Sequence, residues 1–138
     1  MKNKVESVCI IDDDIIYQYL AKEEIEYTNL VQKVMFFDDG EQAIQFIDEK
    51  LSNNDIEALP DVIFLDINMP VMDGWDFLDA YIHLRPRIGK KIVIYVVSSS
   101  IDIRDMDKAK EYSSVSDYII KPISSDRLTS IFTELLAA

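Results

Sequence analysis

Five short runs of aliphatic, β-branched and aromatic residues punctuate this sequence: Val8 to Ile11, Val34 to Phe37, Val62 to Leu65, Ile92 to Val97 and Tyr118 to Ile120. Each is almost continuously apolar. A strand with one wet face would alternate apolar with polar residues, so these runs read as strands covered on both faces of a parallel sheet. Parallel neighbours need crossover connections, and the segments between the runs carry helical spacing. Ala43, Ile44, Ile47 and Leu51 share one helical face, as do Phe77, Leu78, Tyr81 and Ile82, and then Leu128, Ile131, Phe132 and Leu135. Ser124 and Ser125 offer hydroxyl caps to the last of these helices. Strands alternating with helices five times predict a doubly wound (βα)5 α/β fold with right-handed crossovers and helices on both faces. Residues 1–138 read as a single domain, because no repeat, low-complexity tract or linker interrupts the pattern and LSNNDIEALP, Leu51 to Pro60, is only a longer connection. Met1 at the start and a last helix ending LLAA lead to the expectation that the domain is complete.

Charge narrows the partners. Acidic residues number 26 against 14 basic ones, a formal net charge of −12 that repels nucleic acid and anionic membrane surfaces, so neither is expected to bind this chain. No stretch approaches the roughly 20 apolar residues of a membrane span, and the opening MKNKVESV lacks the apolar core of a signal peptide. Cys9, the only cysteine, cannot form an intramolecular disulfide and reads as a small buried core residue within VCII. A soluble protein of the cytoplasm is expected.

In an open parallel sheet, ligands bind outside the carboxyl ends of the strands. The residues at those ends are Asp12-Asp13-Asp14 after the first run, Asp66 after the third, Ser98-Ser99-Ser100 after the fourth and Lys121 after the fifth. Carboxylates gathered on one edge raise one another's pKa unless a cation offsets them, and Mg²⁺ prefers such oxygen ligands together with phosphate oxygens. Asp14 alone reads as the cap of the first helix. Lys121, followed by Pro122, is either a solvated surface lysine or a cation aimed at the acidic edge. Ser98 is either a hydroxyl donor to that edge or a turn residue. Metal, carboxylate, ammonium and hydroxyl are together the parts needed to move a phosphoryl group onto an aspartate, without deciding which aspartate accepts it.

The stretches IIDDD (Ile10 to Asp14), FLDINMPVMDGW (Phe64 to Trp75), VVSSS (Val96 to Ser100) and YIIKP (Tyr118 to Pro122) resemble, in order and spacing, the response regulator receiver domain of two-component signalling. The resemblance covers essentially the whole chain. It implies a flavodoxin-like sheet of strand order 2-1-3-4-5. It also implies Asp66 as phosphoacceptor, Asp13 as a direct Mg²⁺ (or Mn²⁺) ligand, Asp12 as its neighbour acting through water, and the backbone carbonyl of Asn68 completing the metal site. Lys121 matches the lysine that binds the phosphoryl oxygen, with a cis proline at Pro122. Ser98 matches the switch hydroxyl, and Tyr118 the aromatic whose ring turns inward.

The implied partners are a histidine kinase or histidine phosphotransfer protein as donor and a downstream protein effector. The implied activity is that of a phosphoacceptor, not a turnover enzyme, taking phosphoryl from small donors with Mg²⁺ and losing it by autodephosphorylation. The implied readout is a shift at the face of the fourth helix, fifth strand and fifth helix. EYSSVSD, Glu111 to Asp117, departs from the glycine-containing turns common before the fifth strand in this family. His83 reads as an exposed residue without a role, because the donor histidine lies on another protein, and Trp75 reads as local packing. Two alternatives are weighed. A haloacid-dehalogenase-type phosphohydrolase would want a second aspartate where Asn68 stands, and a phosphorylation-independent binding module would not need the set of Asp13, Asp66, Ser98 and Lys121.

Overall fold

The computed structural model describes residues 3–137. Met1, read above as a start, and Ala138, the end of LLAA, lie outside the described residues. Five strands, β1 (Val5–Ile11), β2 (Val31–Phe37), β3 (Val62–Leu65), β4 (Val93–Ser98) and β5 (Val115–Ile120), alternate with five helices, α1 (Ile15–Tyr27), α2 (Gly40–Ser52), α3 (Gly74–Leu84), α4 (Ile103–Lys110) and α5 (Ser125–Ala137). All strand pairs are parallel, in the order β2-β1-β3-β4-β5 expected of a flavodoxin-like sheet.

Alternation along the strands is hidden in the sequence because both faces are apolar. Cys9 and Ile11 of β1, Ile63 and Leu65 of β3 and Ile94 and Val96 of β4 join Ala43, Ile47, Leu51, Phe77, Leu78 and Tyr81 in one buried cluster. The residues between them, Val8, Ile10, Val62, Phe64, Tyr95 and Val97, pack on the other face with Ile25, Leu128, Ile131 and Phe132. Burying a side chain such as Phe77 or Phe132 contributes about 1.5–3 kcal/mol, so these layers hold the sheet between its helices.

Three strands begin three residues before the apolar runs that announce them, at Val5, Val31 and Val115. Their leading residues include Glu6, Gln32, Lys33, Ser116 and Asp117, which an apolar-run criterion passes over. Four of the five lie on β2 and β5, the sheet edges, where one side of the strand is open to water. Ile92 falls just outside β4, and Ile82, read as part of the inner face of α3, is 47% exposed.

The register matters most for function. Ile11 pairs with both Phe37 and Leu65, Leu65 with Val96, and Ser98 with Ile120, so the strands end nearly level. The residue after each strand therefore arrives at one edge.

Candidate functional site

The sheet's hydrogen-bond ladder runs one residue past the strands and fixes the site from beneath. Asp12 N–H donates to the carbonyl of Phe37 (3.0 Å), Asp66 N–H to Ile11 (2.9 Å) and Lys121 N–H to Ser98 (2.9 Å). Three functional side chains are thus positioned by strand backbone, with none hanging on a free loop.

Their side chains converge. Lys121 Nζ donates to Asp12 Oδ2 at 2.7 Å and lies 3.7 Å from Asp66 Oδ2. Oxygen atoms of Asp12, Asp13 and Asp66 all lie within 4.8 Å of one another, Asp12 and Asp66 buried and Asp13 exposed. The peptide between Lys121 and Pro122 is cis. Of the two readings left open for Lys121, the aimed cation is the one observed.

One ammonium does not offset three carboxylates, and the consequence falls on Asp66. Burial first, and the Asp12 carboxylate second, raise its pKa from an ordinary 3.8 to about 6, against the opposing pull of Lys121 and of the N–H groups of Asn68 and Ile67. Asp12 differs in its partners: Oδ1 accepts from the Asp14 amide (2.9 Å) and Oδ2 from Lys121, so both of its oxygens are engaged. Asp13 has no such bond within the described residues. Its carboxylate is the one left to face an added cation.

The remaining residues occupy the rim. Asp14 caps α1, its side chain accepting from Tyr17 N–H at 3.1 Å. Asn68 is exposed, and its N–H reaches Asp66 Oδ1 at a long 3.4 Å. Ser98 is fully buried and its hydroxyl accepts from the Ser100 amide (3.1 Å), a turn contact; among the described residues no hydrogen bond joins it to Asp66. Tyr118, half-buried, donates its hydroxyl to the Ser100 carbonyl at 2.7 Å, which ties its ring to the loop that follows Ser98. The expected caps of α5 resolve to Ser124, which accepts from Arg127 N–H.

His83 is exposed and Cys9 buried, burial pushing the thiol up beyond any physiological ionisation. Trp75 is a packing residue as expected, stacked on Tyr112 with ring centroids 5.9 Å apart and with Lys108 Nζ 4.8 Å above it. Tyr112 belongs to the unusual EYSSVSD stretch, whose Ser113 and Ser114 also accept from Arg85. That stretch is thereby anchored to the end of α3.

Three neighbours of the site are given no role by the sequence. Gly74 is required by a close approach, since a Cβ there would lie 2.6 Å from the Asp66 carbonyl oxygen and 2.7 Å from Ile67 Cα. Gln18 donates to the Asp12 carbonyl (2.5 Å) and to Asp38 (3.0 Å), pinning the first turn of α1. Tyr17 places its ring 4.1 Å from Lys121 Nζ. Tyr17 lies in the first turn of α1, directly after the Asp14 cap.

Against known proteins, residues 8–133 match the profile of the response regulator receiver domain. A two-component response regulator from Cytophaga hutchinsonii shares the fold at a TM-score of 0.86, with 32% identity over 98% of this chain and 99% of that one. The chemotaxis protein CheY4 of Vibrio cholerae is similar in fold alone, at a TM-score of 0.72 and 21% identity over 94% of this chain and 98% of that one. The probable C4-dicarboxylate response regulator DctR of Priestia megaterium is 27% identical over 93% of this chain, which spans 50% of that relative's length.

Proposed function

Since the chain belongs to the family of response regulator receiver domains, we propose that it accepts a phosphoryl group on Asp66 from a phosphohistidine of a histidine kinase or phosphotransfer protein and passes the signal to a protein effector. The observation that carries this reading is Lys121 Nζ set between Asp12 at 2.7 Å and Asp66 at 3.7 Å on a buried edge with surplus negative charge. An Asp66 carboxylate oxygen attacks phosphorus as the P–N bond to the donor imidazole breaks, and the ring nitrogen keeps the electron pair. Lys121 is in reach of the phosphoryl oxygens that then extend from Asp66.

The donor set fits a hard divalent cation, Mg²⁺ or Mn²⁺, because the three carboxylates stand within 4.8 Å of one another with, among the described residues, a single ammonium against them. Asp13, Asp66 and the Asn68 carbonyl would hold it directly, while Asp12, both of its oxygens engaged, would support it from behind. Such a cation, when bound, neutralises the carboxylates and the incoming phosphoryl oxygens. Ser98 would give up its contact with the Ser100 amide to donate to the new group. Tyr118, bonded to the same residue's carbonyl, would report that change at the α4, β5 and α5 face.

Ile15 and Ile16 are 72% and 73% exposed beside the site, which suits an apolar protein surface as donor. No helix among the described residues is long and apolar enough to cross a membrane. A cytoplasmic phosphoacceptor that does not turn over a substrate, apart from self-phosphorylation and autodephosphorylation, completes the reading. Acetyl phosphate should label the wild type only when Mg²⁺ is present and should not label Asp66→Asn. Labelling of another aspartate in that variant would move the acceptor elsewhere.

A further inference from the structure

Lys121 has three close neighbours, and only two of them are carboxylates. Its ammonium meets Asp12 at 2.7 Å and Asp66 at 3.7 Å, and the ring of Tyr17 lies 4.1 Å away, centroid to nitrogen. At that distance the negative face of the ring attracts the cation. The lysine side chain is only 17% exposed, so the ring takes a place that water would otherwise fill.

Tyr17 is not there by chance of a mobile side chain. Its amide is held by the Asp14 cap at 3.1 Å, and the next residue, Gln18, bonds back to the Asp12 carbonyl and across to Asp38. The first turn of α1 is thereby fastened to the same strand end that supplies Asp12. Burial, with Asp12 and Asp66, also pushes the Tyr17 phenol up, so the ring stays neutral.

Resting on the phosphoacceptor reading, we infer that Tyr17 is a positioning residue for Lys121, its ring face holding the ammonium at the Asp12–Asp66 edge ready for a phosphoryl oxygen. A third carboxylate could hold the lysine as well, but it would add negative charge where an anionic group must arrive. A neutral π face localises the cation without that penalty. Nor does it compete for the hydrogen bonds that Lys121 must redirect to the phosphoryl group.

The test compares the wild-type chain with Tyr17→Phe and Tyr17→Leu. In the metal-free protein, the ε-methylene protons of Lys121 should show an upfield ring-current shift that persists in Tyr17→Phe and disappears in Tyr17→Leu. With saturating Mg²⁺, labelling by acetyl phosphate should stay within about twofold of wild type in Tyr17→Phe and slow roughly 3- to 30-fold in Tyr17→Leu, the range a cation–π contact supports. Mg²⁺ affinity, followed by Trp75 fluorescence, should not change in either variant.

Wild-type labelling speed in Tyr17→Leu, or an equal fall in both variants, overturns the positioning role while leaving the phosphoacceptor reading intact. An unlabelled wild type overturns that reading itself. Should Tyr17→Leu fail to fold, the spectrum of the wild type still decides, because an unshifted Lys121 excludes the contact.

Discussion

Asp66→Asn should stabilise the metal-free protein even as it removes the proposed phosphoryl acceptor. Asp66 is 7% exposed, and its carboxylate shares a buried edge with Asp12 and a lysine that sits closer to Asp12 than to it. Its pKa is about 6 in the folded protein against an ordinary 3.8. A raised carboxylate means that the native state binds the proton more tightly than the unfolded chain does. Its contribution to stability is then full below about pH 3.8 and is lost as pH rises through about 6. At neutral pH the ionised group is therefore a native-state cost. The gap between 3.8 and about 6 corresponds to about 3 kcal/mol at most, and water at the open, Asp13 side of the edge screens it to about 1–2 kcal/mol. Asn keeps the shape and an acceptor for the Asn68 amide without the charge.

Urea unfolding in EDTA, followed by Trp75 fluorescence and circular dichroism, should show Asp66→Asn more stable by that amount at pH 7.5, equivalent to roughly 3–8 °C in melting temperature. The advantage should shrink steadily below pH 6 and be nearly gone by pH 4. Adding Mg²⁺ should reverse the order, because a cation bound only to the native state stabilises the wild type by mass action. A variant no more stable than wild type at pH 7.5 in EDTA, or one whose advantage is the same at pH 4, would refute the charge argument.

Two further perturbations follow from backbone geometry. Gly74→Ala drives a methyl to within 2.6 Å of the Asp66 carbonyl oxygen, and because the obstacle is backbone it should cost about 1–3 kcal/mol in urea unfolding. The same variant should bind Mg²⁺ more weakly in a fluorescence titration, since Asp66 must shift; unchanged affinity would mean that α3 gives way instead. Val71, a β-branched residue at φ 66° and 77% exposed, sits in the left-handed region that Asn tolerates far better. Val71→Asn should gain about 1 kcal/mol, and a loss on thermal unfolding would point to a packing role for the valine.

How far the sequence could be read depended on whether a feature was local or lay between distant segments. Asp12, Asp66 and Lys121 were legible because each is the first polar residue after an apolar run, and parallel strands of matched register bring such positions level. The bond between Asp12 and Lys121 spans 109 positions, yet the topology makes it predictable. Strand order came from the family resemblance, since periodicity says which segments are strands and not which are neighbours. The starts of β2 and β5 were missed because edge strands tolerate Gln32, Lys33, Ser116 and Asp117. Ile82 was misplaced because an apolar residue beside an inner face still lands outside it when the covered arc is narrow. Gly74 and Val71 were opaque for another reason. A contact at 2.6 Å and a positive φ are properties of the backbone path between β3 and α3, on which hydropathy is silent.

The site is a local departure from what stabilises the rest of the molecule. Below it the central strands are covered by fully buried side chains such as Ile63, Leu65, Phe77, Leu78 and Phe132, while at the edge two buried aspartates and one exposed aspartate face the Lys121 ammonium. A core of that quality can carry a few kcal/mol of unfavourable charge without unfolding. The charge in turn makes the edge responsive, because any ligand that neutralises it relieves a strain that the fold otherwise bears. Lys121 is where that relief would become movement. Its side chain is divided among Asp12, Asp66 and the Tyr17 ring, and its amide is bonded to the carbonyl of Ser98, the residue whose hydroxyl holds the Ser100 amide. Ser100 also receives the Tyr118 hydroxyl. On the proposed reading, a new oxygen ligand for Lys121 and Ser98 would pull on a chain of short contacts that ends at the Tyr118 ring on β5.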